Sequence, residues 1–307
     1  MRVRKLGYTD LELTTVGLGT WAIGGPWKWG WGAQDDAESI DAIQRALDMG
    51  VNWIDTAAVY GMGHSEEVVG RAIAGRRDEV IVATKCGLVW DEGSTEAHGR
   101  LTAASVRREA EASLRRLDVD VIDLYQIHWP RPDEDIEEGW GAIADLVREG
   151  KVRYGGVSNF SVEQLKRVQP IHPVASLQPP YSMLERGVEE ELLAHCAAND
   201  IGVVAYSPMQ AGQLTGKYTR ERIAGLPDDD WRKGTSHFSE PAIGTTLALI
   251  ERLRPIAERN GRTLAQLAIA WVLRRAEVTA AIVGARGPSQ IEETAPAGDW
   301  VLSQEDT

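Results

Sequence analysis

Four residues with proton chemistry sit at or just beyond the ends of short apolar runs. Asp55 closes VNWID, Lys85 closes EVIVATK and His128 closes DVIDLYQIH, while Tyr60 follows Asp55 by five positions. A strand-length apolar run that ends on an ionisable residue breaks the pattern its own burial requires. When this recurs on successive strands of a parallel barrel, the polar ends converge at the mouth where such folds place their chemistry.

Together the four residue types suggest proton management. A tyrosine titrates near 10 in water, too high to exchange a proton readily at neutral pH. A neighbouring lysine ammonium favours the phenolate and lowers that value, and an aspartate would keep the ammonium charged and in place. A histidine at the next strand end would direct a substrate oxygen or relay a proton. The set predicts a phenolic acid/base poised against a polar oxygen, as carbonyl reduction or alcohol oxidation requires. Singly, each residue has a structural reading: Asp55 as a cap, Lys85 as a snorkelling lysine, His128 as a core histidine. Their placement on consecutive strands favours chemistry.

Strand-like and helix-like stretches alternate along the chain. An opening hairpin (VRKLG, a turn at Tyr8-Thr9-Asp10, LELT) precedes VGLG and a helix over DAESIDAIQRALDMG that stops at Gly50. VNWID leads to SEEVVGRAIAG, with Ser65 as its expected N-cap. EVIVATK leads to TAASVRREAEASLRRLD, and DVIDLYQIH to DIEEGWGAIADLVREG. KVRYGGVSN leads to SVEQLKRV, VASLQ to VEEELLAHCAAND, and IGVVAYS to a long insert ending in GTTLALIERLRPIAERNG. An extra helix, TLAQLAIAWVLRRA, runs into TAAIVG and a short helix from Ser289. Ser161/Gln164 and Thr263/Gln266 have capping-box spacing. Eight such units predict an α/β fold, a (β/α)8 TIM barrel with an N-terminal β-hairpin and extra helices, in one domain over 1–307. The competing Rossmann reading rests on Gly17-Leu18-Gly19-Thr20-Trp21-Ala22. That motif must open a helix, and here Gly24, Gly25, Pro26 and WKWGWG follow as loop. About residues 208–242 form the longest loop, which reads as a functional lid or a partly disordered segment.

Composition bounds the partners. A net charge of −13 argues against nucleic acid or an acidic membrane surface. No apolar stretch approaches the roughly 18 residues of a membrane span. Cys86 and Cys196 have neither metal-site spacing nor disulfide density, and MRVRKLGYTD carries no signal peptide, so a reducing cytoplasm is expected. Cys86 reads as a barrel-wall residue. The six histidines include no HxxxH or HxH pair, so no metal is implied. Ser303 to Asp306 has the spacing of a helix start with no helix after it, which suggests further native residues beyond Thr307. Eleven tryptophans against two phenylalanines is an unusual ratio. Trp21, Trp27, Trp29, Trp31, Trp90 and Trp129 fall in rim loops, whereas Trp140 and Trp271 have helical spacing and read as core. Trp faces suit flat or sugar-like substrates, and Trp21 and Trp129 are expected to line the pocket.

The segments GLGTWAIGG, NWIDTAAVYG running into HSEEVVGRAI, VIVATK, DLYQIHWP, GVSNF, AYSPMQAGQLTGKY and IVGARGPSQIEE resemble the aldo-keto reductase superfamily, in order and over essentially the whole chain. The resemblance implies an oxidoreductase with Tyr60 as general acid, Lys85 and Asp55 tuning it, and His128 orienting the carbonyl. It implies a nicotinamide dinucleotide, NADPH/NADP+, extended across the barrel mouth. Ser158, Asn159 and Gln178 match positions that bond the carboxamide, and Tyr206, followed by Ser207, matches the ring stacked on the nicotinamide. Gly212, Leu214 and Lys217 match the pyrophosphate wrap. Gly284, Arg286, Gln290 and Glu293 match the adenosine end, where the Arg286 fork suits a 2′-phosphate. Val283 and Thr294 depart from the proline and asparagine of many relatives. DDWRKGTSHF resembles the branch with sugar- and inositol-related bacterial dehydrogenases. The implied substrate is a small carbonyl or sugar-like molecule, reduced with NADPH. The alternatives are polyol or sugar oxidation in the reverse direction, and a non-catalytic nicotinamide-binding regulatory subunit. Oligomeric state has no signature in the sequence.

Overall fold

A computed structural model describes residues 1–227 and 230–307; Asp228 and Asp229, including the first residue of DDWRKGTSHF, lie outside the described residues. Eight parallel strands close into a barrel: β1 (Val16–Gly19), β2 (Trp53–Asp55), β3 (Ile81–Cys86), β4 (Ile122–Ile127), β5 (Val152–Ser158), β6 (Ser176–Gln178), β7 (Gly202–Ala205) and β8 (Val278–Gly284). Each pairs with its neighbour in sequence, and β8 closes on β1 with Gly284 opposite Gly19. The register puts Asp55 beside Ala83 and Lys85 beside Gln126, so the polar ends of β2, β3 and β4 meet at one rim.

The surrounding helices are α1 (Asp36–Asp48), α2 (His64–Ile73), α3 (Ala103–Leu117), α4 (Ile136–Arg148), α5 (Val162–Val168), α6 (Leu192–Ala198), α7 (Arg220–Ala224), α8 (Ala242–Arg259), α9 (Leu264–Leu273) and α10 (Pro288–Thr294). Their apolar faces pack on the outer strand faces through Ile43, Val69, Val106, Ile143 and Leu165. A second cluster fills the barrel lumen, where Trp53, Leu124, Val204 and Ala280 meet Leu6, Leu11 and Leu13 of the opening hairpin. That hairpin, Val3–Lys5 paired with Glu12–Thr14, thereby closes the end of the barrel opposite the rim. Both capping boxes form, at Ser161/Gln164 and Thr263/Gln266.

As expected, α1 begins at Asp36 and no helix opens on the glycine motif, which is followed by a 3-10 turn at Trp21–Ile23, against the Rossmann reading. Other expectations change. Ser65 is not the N-cap of α2; Gly63, at φ +103, takes that position. The Ser65 hydroxyl is drawn instead to Thr20 and Thr56, tying the loops after β1 and β2 together. VEEELLAHCAAND splits into a 3-10 turn at Gly187–Glu189 and the shorter α6. The long insert has structure of its own: α7 and turns at Trp231–Gly234 and Ser236–Phe238 pack Tyr218, Ile223, Phe238 and Ile243 into a small core. A two-stranded hairpin, Leu88–Val89 with His98–Gly99, rises after β3 and has no counterpart in the sequence reading. Among the described residues no helix is long and apolar enough to cross a membrane.

Candidate active site

The end of β3 delivers Lys85 into the barrel wall with 1 % of its surface exposed. Its ammonium has three protons, and the structure supplies three acceptors: Asp55 Oδ1 at 2.6 Å, the Thr56 carbonyl at 2.9 Å and the Tyr60 hydroxyl oxygen at 3.3 Å. Because Lys85 donates to Tyr60, the phenolic O–H is left to point its own proton elsewhere. Asp55 Oδ2 accepts from the side-chain amides of Gln178 at 2.8 Å and Gln126 at 3.4 Å. The buried charge pair is therefore bonded on every side, as its desolvation demands.

Tyr60 lies on a loop that two glycines bring against the loop after β1. Gly61 sits at φ +63, and a Cβ there would lie 1.8 Å from the Gly24 carbonyl oxygen. A Cβ on Gly24 would meet the Tyr60 backbone at 2.9 Å. Side chains at either position would push the phenol away from Lys85. The His128 ring stands edge-on to Tyr60, with centroids 5.8 Å apart and planes at 81°.

Burial pushes the Tyr60 phenol up, Lys85 pulls it down, Asp55 pushes it up again, and the net direction is above the ordinary 10.0. This corrects the expectation that the lysine leaves the phenol more acidic. Desolvation penalises the phenolate, and Asp55, 2.6 Å from the ammonium, offsets part of its field. Burial acts to lower Lys85, but Asp55 and then Tyr60 overcome it, so the amine stays charged above its ordinary 10.5. Burial, and then Lys85, hold His128 well below 6.5, so its imidazole is neutral at neutral pH. Neutral His128 donates or accepts a hydrogen bond rather than carrying a proton. Cys86 is buried and its thiol pushed well up by desolvation, in keeping with a wall residue.

The four residues adjoin a cleft of about 1030 Å³ running across the rim. Asp55, Tyr60 and His128 line it, and Lys85 lies in the wall behind them. Ser158, Asn159, Gln178, Tyr206, Ser207, Gly212, Lys217, Gly284, Arg286, Gln290 and Glu293 line it too, as do Trp21 and Trp129. Leu214 does not: its side chain is buried with Ile250 and Leu264, and its N–H is bonded to the Met209 carbonyl. Asn159 has no free amide proton, since Nδ2 donates to the His128 carbonyl and Ser158 Oγ, each at 3.0 Å. Its Oδ1 accepts from Tyr206 at 2.9 Å, fixing that ring. Gln178 Oε1 accepts from none of the described residues. Lys217 pairs with Glu293 at 2.5 Å across the cleft.

Several lining groups escaped the sequence reading. Gln34, behind the lining itself, accepts from Arg286 Nε at 2.6 Å and donates to its carbonyl at 2.8 Å, with no motif to announce it. Trp231 and Arg232 reach the cleft from the insert, while Trp27, Trp29 and Trp31 settle the open question of the WKWGW run by lining it as well. Trp90 is not among the lining residues, whereas Trp140 and Trp271 are buried as expected.

Residues 15–307 match the model of the Aldo/keto reductase family. The chain belongs to that family. It is 40 % identical to the aldo-keto reductase YhdN of Bacillus subtilis (strain 168), with 100 % of this chain and 91 % of the relative covered. It is 36 % identical to an NADH-specific methylglyoxal reductase of Escherichia coli (strain K12), covering 100 % and 96 %. Among solved structures, the glycerol dehydrogenase AKR11B4 from Gluconobacter oxydans superposes with a TM-score of 0.90 at 41 % identity, covering 99 % and 92 %. The barrel and the oxidoreductase class thus follow from fold and family together, and aldo-keto reductases use nicotinamide cofactors.

Proposed function

We propose that this aldo-keto reductase reduces small aldehydes or ketones to alcohols, with NADPH preferred and Tyr60 as general acid. The observation that carries the reading is the threefold donation by Lys85, which makes Tyr60 an acceptor on one side and a donor toward the cleft. A raised phenol pKa suits this role, because the acid is still protonated when a carbonyl binds. As negative charge grows on the carbonyl oxygen, the fixed ammonium behind Tyr60 stabilises the phenolate left by proton transfer. His128, neutral and edge-on to Tyr60, orients the same oxygen by a hydrogen bond.

The cleft residues fit an extended dinucleotide. Gln178 Oε1 is available to a carboxamide N–H, Ser158 Oγ lies beside it, and the Tyr206 ring offers a face for stacking. Gly212, Ser207 and Lys217 suit the diphosphate, and Gly284, Gln290, Glu293 and Thr294 the adenosine end. Arg286 keeps Nη1 without a bond to the described residues and is offered to a 2′-phosphate. The bound nicotinamide supplies or accepts the hydride. Similarity to an NADH-specific reductase bears directly on the cofactor preference, so Arg286 is the residue to test. Arg286→Ala weakens NADPH binding by the roughly 1.5–3 kcal/mol of a charged hydrogen bond and leaves NADH nearly unchanged. Equal losses in the two fluorescence titrations take Arg286 out of this role.

A second reading, oxidation of a polyol with NADP+ through the same residues in reverse, is favoured by similarity to a glycerol dehydrogenase. Steady-state rates in both directions over a carbonyl and polyol panel decide between them.

A further inference from the structure

A second cavity, of about 530 Å³, opens at the closed end of the barrel, away from the catalytic rim. Arg2, Arg4, Arg274 and Arg275 line it, and no aspartate or glutamate does. In a chain of net charge −13 this is a local reversal of sign. The four arginines come from two places. Arg2 and Arg4 flank Val3 at the hairpin strand, so alternation puts both side chains on one face while Val3 is exposed. Arg274 and Arg275 follow α9 at the turn into β8. From that turn β8 runs seven residues to Gly284 on the rim, which separates the cavity from the cofactor cleft by roughly 20 Å.

Hydrogen bonds account for part of this arrangement. Arg4 donates to the carbonyls of Leu273 at 3.0 Å, Arg275 at 3.1 Å and Val278. Arg2 donates to those of Gly298 at 2.8 Å and Trp300 at 3.4 Å. These bonds close the ends of α9 and of the 3-10 turn at Ala295–Asp299, as cations at helix C-termini do. A carbonyl carries only a partial charge, however, and neither guanidinium has a carboxylate partner among the described residues. Arg274 and Arg275 each have one, Glu189 at 3.1 Å and Glu277 at 2.8 Å. Glu189 also pairs with Arg186 at 2.6 Å, so its charge is already divided between two arginines. Burial, and then the like charge of Arg2, hold Arg4 below its ordinary 12.5. Donors remain open as well: Arg2 Nη1 and Arg275 Nη1 have no acceptor among the described residues. Leu273, Trp300 and Leu302 make much of the remaining wall apolar.

Two uncompensated guanidiniums with unused N–H groups match an oxyanion of two charges. A single carboxylate neutralises one of them. A phosphate monoester neutralises both and presents three acceptor oxygens from one centre. Its organic group meets the apolar wall, and the volume is that of a small-molecule site. We propose that this cavity binds a small phosphate monoester, held by Arg2 and Arg4 with Arg275 as a further donor, at a site separate from the cofactor cleft. The ligand there joins the opening hairpin, the end of α9 and the segment from Trp300. The site is independent of the reaction assigned to Tyr60.

Isothermal titration calorimetry of the full chain, saturated with NADPH so that the cleft is filled, tests this with phenyl phosphate, inorganic phosphate and succinate. The expected result is saturable binding of phenyl phosphate, several-fold tighter than that of inorganic phosphate or succinate. Arg2→Gln weakens it by about 10-fold, the loss of a charged hydrogen bond, and Arg286→Ala in the cleft leaves it unchanged. Where Arg2→Gln does not fold, Arg275→Gln replaces it, since that side chain bonds only Glu277, with a weakening of about threefold or more. Absence of saturable binding, equal affinity in the wild type and the folded arginine variant, loss of binding in Arg286→Ala, or tighter binding of succinate overturns the assignment.

Discussion

Three donors on one nitrogen set the behaviour of Tyr60. Lys85 has no proton left over, so it acts as a fixed charge and not as a proton source. The pH dependence of reduction follows. Tyr60 stays protonated above its ordinary 10.0, and His128 stays neutral down to well below 6.5. The rate constant kcat/KM for an unionisable aldehyde is therefore flat from about pH 6 to 9 and falls only in strong alkali, as the acid is lost. A pH–rate profile with an inflection near 6.5 would assign His128 the proton and contradict this reading. Asp55, Lys85 and His128 were legible in sequence because each interrupts an apolar strand at its end. The direction of the Tyr60 shift was not, because it depends on how fully Asp55 offsets Lys85 and on how dry the site is. Arg286 was legible in its glycine-rich context, but its partner Gln34 lies 252 positions away and has no local pattern.

At the scale of elements, β3 and the hairpin that follows it hang on α3. Glu109 of α3 accepts from the Gly87 N–H at 2.8 Å and from Ser105 at 3.0 Å, just beyond the Lys85 strand. Burial raises its carboxyl from 4.5 to about 7 against the pull of those bonds. A raised carboxyl is protonated in the folded chain where the unfolded chain is already ionised. Its effect on stability is therefore an increasing loss as pH rises from about 4.5 to 7, constant beyond, with a ceiling of roughly 3 kcal/mol. Glu109→Gln removes that loss, so its urea midpoint exceeds that of the wild type at pH 8 by more than it does at pH 5. An identical difference at both values would show that Glu109 titrates normally. Helices and strands were readable here from period and caps, since burial on one face enforces both. The N-cap of α2 was misread because Ser65 serves Thr20 and Thr56, a tertiary demand that outweighs a local one. Trp231 was invisible as a cleft residue because the insert that carries it has no periodicity to reveal its inward face.

For the whole molecule, charge is unevenly distributed. The chain carries −13, yet Lys28, Arg131, Lys217, Arg222, Arg232 and Arg286 line the cleft against three carboxylates, Asp55, Glu96 and Glu293. A cationic mouth in an acidic protein focuses a phosphorylated ligand and repels little that is neutral. Raising ionic strength from about 0.01 to 0.3 M, which shortens the screening length severalfold, therefore raises KM for NADPH and leaves KM for a neutral aldehyde nearly unchanged. Parallel changes in both constants would place the effect elsewhere. The barrel was legible from eight repeated units, because each strand–helix pair buries its apolar surface only in company with its neighbours. The closure of the mouth by Lys217–Glu293 and by the insert was not, since both join segments far apart in the chain.

The central claim is that the Tyr60 hydroxyl, held by Lys85, gives its proton to the substrate oxygen. Steady-state reduction of an aldehyde by Tyr60→Phe, paired with a fluorescence titration of NADPH, tests it most directly. The account predicts a fall in kcat of at least about 10²-fold with NADPH affinity kept within about threefold. A variant that reduces the aldehyde at close to the wild-type rate would contradict it.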